Sequence, residues 1–190
     1  MGIVDELILH DIYSPLLHAQ VLDLQHAMPY LDISTDLSRM RDADICIFAA
    51  GSGRTPHVKT RADLIGANLP VAAACTRYLE QFSGIFITVS NPVDVLNYYL
   101  CRRLGLDPAR CIGFGGQVDS ARFQIQLLEN GIDGEGYVMG EHGEHQVPLF
   151  SQLPVQVDLP KKEEILSALR GMSMKIIEGK GATTFGPSAH

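Results

Sequence analysis

The chain has 190 residues, 46% of them hydrophobic and 19% charged, a balance that suits one large or two small globular domains and excludes a disordered polar tail. It carries 22 acidic and 15 basic residues, for a formal charge of -7, so nucleic acid is not expected as a partner. Small anionic ligands stay open, because a few focused arginines reverse the local field.

The first residues, MGIVDELILHD, carry acids inside their apolar stretch and lack the basic start and long apolar core of a signal peptide. Within them ELILHD (6–11) reads as a buried strand ending in an acid. HAQVLDLQHA (18–27) has helical spacing, and DADICIFAAG (42–51) is a second strand that breaks at glycine. RADLIGANLPVAAACTRYLEQF (61–82) is mostly helical, with Pro70 tolerable only at a kink or a fresh start. GIFITVSNP (84–92) is a third strand, PVDVLNYYLCRRLG (92–105) a helix with proline near its first turn and glycine past its end, and RCIGFGG (110–116) a fourth strand. This alternation predicts a parallel sheet with helices on both faces.

The pattern changes near residue 117. DSARFQIQLLENG (119–131) reads as a helix capped by Asp-Ser and stopped at Asn130-Gly131. Strand-like pieces follow, GYVMG (136–140) and LPVQVDL (153–159), and then a long helix over 161–179. The expected division is residues 1–116 and 117–190. No apolar run reaches membrane-spanning length. Cys46, Cys75, Cys101 and Cys111 form no CxxC pair and read as reduced thiols of a cytoplasmic protein.

Six segments in order, ELILHD, AAGSGRTP, SNPVDV, DSARF, GEHGEH and KGATTFGP, together resemble the lactate/malate dehydrogenase family along nearly the whole chain. Each alone is a weak signal; their joint order is a strong one. The resemblance implies a Rossmann-like α/β fold over residues 1–116 and part of an α+β catalytic domain over 117–190. It implies NAD as cofactor, a small 2-hydroxy or 2-oxo acid as substrate, and a homodimer or homotetramer.

The chemistry justifies the residue types. Oxidising a 2-hydroxy acid requires removal of the hydroxyl proton as hydride leaves the same carbon, and a neutral histidine can take that proton near neutral pH. By resemblance His142 is this base and Asp119 orients it and stabilises its charge. Arg122, one helical turn from Asp119, grips the substrate carboxylate with a two-pronged fork. Arg61 polarises the reacting carbonyl. Arg54 occupies the position where malate-type members place arginine, to meet a second carboxylate, and lactate-type members place glutamine. Asn91 contacts the substrate and Thr183 lies at its edge. Gly51, Asn68, Val89, Ser90 and Asn91 line the cofactor, and Asp11 accepts hydrogen bonds from the adenosine ribose, favouring NAD over NADP.

Plainer readings compete: a lone loop histidine is usually structural, DSAR is usually a capped helix start with a surface arginine, and Asp11 is a routine strand-end acid. The favoured expectation is malate–oxaloacetate interconversion, with lactate dehydrogenation as the alternative within the family. A second class is a metal-dependent hydrolase using Glu141, His142, His145 and His57, although the spacing is not HExxH. A third is a non-catalytic remnant. By resemblance a strand–GxGxxG–helix unit is expected before ELILHD and further strands and a helix after KGATTFGP; a fragment, a misjudged start and missing stretches are the alternatives. The glycine-rich GFGGQ (113–117) belongs to a later strand end and is not the phosphate loop.

Overall fold

A computed structural model describes residues 3–55, 58 and 62–189. Its strands are β1 (Glu6–Ile8), β2 (Asp32–Ser34), β3 (Ile45–Phe48), β4 (Ile85–Thr88) and β5 (Cys111–Gly113), of which β3 and β4, ICIF and IFIT, are runs of mainly β-branched and aromatic residues. β1 pairs in parallel with β2, and β3, β4 and β5 form a separate parallel sheet. Parallel neighbours need crossovers, and helices supply them: α1 (Ser14–Ala27), α2 (Ile65–Cys75) and α3 (Val93–Leu104). Thr88 lies level with Phe48 on one side and Gly113 on the other. The three strands therefore end flush, and the loops that follow them leave along one edge, where ligands of open α/β sheets gather.

Side chains on one face of the three-stranded sheet pack beneath α2 and α3. Phe48, Ala72, Leu79, Phe82, Phe86, Leu96 and Leu100 form this core, and Phe86 meets Phe48 and Phe82 at ring-centroid distances of 6.4 and 6.2 Å. Each such side chain contributes about 1.5–3 kcal/mol by leaving water. The opposite face carries Ile45, Ile47, Ile85 and Ile112, which are 41 to 65% exposed. The expected Rossmann-like α/β fold is present, with its parallel strands in two sheets, β1–β2 and β3–β4–β5, the larger covered on one face. Among the described residues no strand joins β1 or β2 to β3.

The helical stretch predicted over 61–82 is subdivided. A 3₁₀ turn (Ala62–Leu64), α2 and a second 3₁₀ turn (Thr76–Tyr78) follow one another, with Pro70 inside α2. Proline lacks the N–H that would bond the carbonyl four residues back, so it weakens the helix locally. α3 stops at Gly105, whose φ of +66° only glycine adopts cheaply; Leu106 N–H then returns to the Cys101 carbonyl at 3.0 Å.

Beyond β5, α4 (Gly116–Glu129) begins three residues earlier than predicted, so Asp119 is not its cap but sits buried in its first turn. A hairpin follows, β6 (Val138–Gly140) against β7 (Gln146–Pro148). The partner of β6 is therefore Gln146–Pro148; LPVQVDL is not a strand, and its Asp158 caps α5 (Leu159–Lys180) by accepting Lys161 N–H at 2.9 Å. A short α6 (Phe185–Ala189) closes the described chain. Phe123, Leu127, Val138, Ile165 and Leu169 form a second core, contributed by residues after 117, whereas the first is contributed by residues before it. Among the described residues no helix is long and apolar enough to cross a membrane.

Candidate active site

The GEHGEH segment spans Gly140 to His145, so it is the tip of the β6–β7 hairpin. Gly140 turns the chain with φ of +85°, and Gly143 N–H bonds the Glu141 carbonyl at 2.9 Å, folding the backbone tightly around His142. The base of the hairpin is tied to α4, because Val138 N–H donates to Ser120 Oγ at 2.9 Å. This anchor brings the tip against the first turn of α4, where Asp119 points inward.

Three predicted residues meet there. His142 Nδ1 lies 2.5 Å from Asp119 Oδ2, and Arg122 Nη1 donates to Asp119 Oδ1 at 2.8 Å. The side chains are nearly withdrawn from water, at 12% exposure for His142, 3% for Asp119 and 14% for Arg122. In so dry a setting a lone carboxylate is costly, and the imidazole and the guanidinium each satisfy one of its oxygens. With its Nδ1–H directed at the carboxylate, the neutral imidazole leaves Nε2 as an acceptor. His145 turns away: 87% exposed, it pairs with Glu141 at 2.8 Å. The two imidazoles thus serve different carboxylates, and among the described residues no group of three metal-ligating side chains converges.

Two further contacts reach His142 from elements to which no role had been assigned. Its backbone N–H donates to Asp94 Oδ2 at 2.9 Å, from the first turn of α3. Gly115, just before α4, lies directly against its ring. Both residues fall inside short motifs, SNPVDV and GFGGQ, but nothing in the local spacing connects either to residue 142.

The strand-end loops supply the remaining candidates. Val89 and Ser90 N–H groups both bond the Phe48 carbonyl, at 2.9 and 3.3 Å, and Ser90 Oγ donates to the Ala50 carbonyl at 2.7 Å. Asn68 is fully buried. Its Oδ1 accepts Ser52 N–H at 2.7 Å, and its Nδ2 donates to the carbonyls of Ser52 and Asn91 at 2.9 and 2.7 Å. Both amide hydrogens are occupied within the protein, so Asn68 braces the two loops and has no proton to give a cofactor. Gly51, with φ of +127°, passes so close that a Cβ there would sit 2.6 Å from Asn68 Oδ1.

Asn91 differs from its neighbours. Its Oδ1 is buried and has no hydrogen-bond partner among the described residues, an acceptor that a ligand amide or hydroxyl at the strand ends would satisfy. Arg54 is half-buried in the loop after β3 and donates from Nε to the Val58 carbonyl at 3.1 Å. Asp11 stands exposed past β1, where Oδ1 accepts Tyr13 N–H at 2.7 Å and leads into α1. Thr183 is half-buried between α5 and α6, and among the described residues no hydrogen bond links it to the His142 cluster. Arg61 and His57 lie outside the described residues.

Residues 1–113 match the family profile described as lactate/malate dehydrogenase, NAD binding domain. The chain belongs to the lactate/malate dehydrogenase family. It is 34% identical over 203 aligned positions to the L-lactate dehydrogenase of Halalkalibacterium halodurans, a match covering 97% of this chain and 65% of that protein. With L-lactate dehydrogenase 1 of Staphylococcus aureus the identity is 32% at the same coverages. Among solved structures it superposes on malate dehydrogenase from Aeropyrum pernix with a TM-score of 0.82 and 28% identity, covering 97% of this chain and 65% of that one. For malate dehydrogenase from Plasmodium falciparum the values are 0.86 and 25%, covering 97% and 66%. The chain thus spans about 65% of the length of these lactate/malate dehydrogenases, and the parallel sheet with its helices is their Rossmann-like fold.

Proposed function

We propose that this protein supplies the reaction centre of an NAD-dependent 2-hydroxy acid dehydrogenase, in which residues 1–116 hold the cofactor and 117–190 act on the substrate. The observation that carries this reading is the buried bridge His142–Asp119–Arg122. His142 Nε2 takes the hydroxyl proton, and Asp119 keeps the ring in the needed tautomer and stabilises the imidazolium that forms. Arg122 turns a terminal nitrogen to the substrate carboxylate while its contact with Asp119 fixes the direction of approach. NAD, when bound, accepts the hydride. The residues at the strand ends suit its nicotinamide end: Asn91 Oδ1 is an acceptor with no donor among the described residues, and Gly51, Val89 and Ser90 shape the adjoining backbone. Asp11 stands past β1 as a carboxylate for the ribose hydroxyls. Arg61 assists by polarising the carbonyl, and Thr183 borders the substrate. By analogy with the family the protein works as a homodimer or homotetramer, and its scattered cysteines suit the cytoplasm.

Malate and oxaloacetate are the preferred pair, because Arg54 brings a cation that a second substrate carboxylate would meet. Lactate and pyruvate form the second reading, favoured by the names of the two curated relatives above. The test is NADH oxidation by purified protein with oxaloacetate and then pyruvate. Turnover of either, abolished by His142→Asn, supports the dehydrogenase; folded protein that turns over neither counts against it and favours a non-catalytic remnant.

A further inference from the structure

Asp119 holds His142 at only one atom, Nδ1. An imidazole on a hairpin tip can still swing about that contact, and transfer of a proton from a fixed substrate demands a fixed Nε2. Two other contacts restrict it. The Asp94 carboxylate takes the His142 backbone N–H at 2.9 Å, 48 residues away in sequence. Gly115 supplies the floor: a Cβ there would sit 2.6 Å from His142 Nδ1 and 2.7 Å from its Cβ, closer than carbon atoms pack. The φ of 178° lies outside the left-handed region, and position 115 makes no side-chain cap for α4. What excludes a side chain is the ring itself.

Resting on the dehydrogenase reading above, we propose that Gly115 and Asp94 are positioning residues for the His142 imidazole, Gly115 by leaving room for the ring against the start of α4 and Asp94 by clamping the hairpin tip to α3. Any side chain at 115 displaces the ring from Asp119, and loss of the acceptor oxygen at 94 lets the hairpin tip drift from α3. The neighbouring Gly116 is a control of equal size, because a Cβ there would meet only the Val138 carbonyl oxygen, at 3.8 Å.

The test uses the full chain carrying Gly115→Ala, Gly116→Ala, Asp94→Ala or Asp94→Asn, each confirmed as folded by circular dichroism. Nitrogen-15 NMR of His142 reads its tautomer and its titration. The expected result is a parent-like signal in Gly116→Ala and Asp94→Asn, whose amide oxygen still accepts the N–H, with loss of the single Nδ1–H tautomer in Gly115→Ala and Asp94→Ala. In enzyme that turns over, kcat should fall roughly 100-fold in Gly115→Ala with little change in KM. An unaltered His142 signal in folded Gly115→Ala and Asp94→Ala overturns the proposal. Should Gly115→Ala not fold, the two Asp94 variants decide: equal signals in both refute the clamp and the proposal with it. Because the NMR readout needs no turnover, failure of the dehydrogenase reading registers separately, as parent protein with an ordered His142 and no NADH oxidation.

Discussion

Asp119 and His142, 23 residues apart, meet at 2.5 Å between Oδ2 and Nδ1, in a site from which the carboxylate is almost wholly screened from water. The carboxylate decides which imidazole nitrogen carries the proton, and so, in the proposed dehydrogenase, which one would face the substrate. Asp119→Asn presents either an amide hydrogen or a neutral oxygen to Nδ1 and no longer stabilises the imidazolium. Its kcat is expected to fall on the order of 10³-fold or more while the fold is retained. Steady-state NADH oxidation measures this, and a variant as fast as the parent would remove Asp119 from the mechanism.

Arg54 is the residue proposed above to separate the two substrate pairs. Replacing it with glutamine keeps a hydrogen-bond donor but removes the charge that a second carboxylate would meet. Arg54→Gln should lower kcat/KM for oxaloacetate roughly 10- to 100-fold, about 1.4–2.7 kcal/mol at the transition state, and leave pyruvate nearly unchanged. A constant oxaloacetate-to-pyruvate ratio in the two proteins would show that Arg54 does not read the substrate.

Asn68 is a structural prediction. Asn68→Ala leaves Ser52 N–H and the carbonyls of Ser52 and Asn91 without their partner in a part-buried place. The expected loss is about 2–4 kcal/mol of folding stability, read as a lower urea midpoint. Asn68→Asp keeps the acceptor for Ser52 N–H but turns a carboxylate against two carbonyls, and should destabilise at neutral pH at least as much.

Alkaline pH tests the core. Burial, with a smaller effect from Cys75, pushes the Cys46 thiol up from 9.0 to about 11. A group whose folded pKa is raised holds its proton longer in the folded state, so its contribution to stability is complete below about pH 9 and is lost as the pH climbs through about 11. Urea midpoints should therefore fall over that window, less steeply in Cys46→Ala. Cys46 should also resist alkylation at about pH 8 until the protein is unfolded, since the thiolate is the reactive form. Rapid labelling of the native protein would contradict its burial.

The chain's letters alone determined whatever depends on neighbours a few residues apart. Gly105 past α3, Asn130-Gly131 past α4 and the apolar strands ICIF and IFIT were legible because helix stops and strand runs are written locally. His142, Asp119 and Arg122 were legible because their motifs, GEHGEH and DSARF, are short and keep a set order. Tertiary structure decided what depends on residues far apart. β6 pairs with Gln146–Pro148 and not with LPVQVDL, because register is set by the turn around His142 and not by apolar content. Asn68 became a brace once α2 carried it beneath two strand ends. Asp94 and Gly115 acquired their contacts with His142 only when α3, α4 and the hairpin converged, since no local rule of spacing links a glycine before one helix to an imidazole 27 residues on.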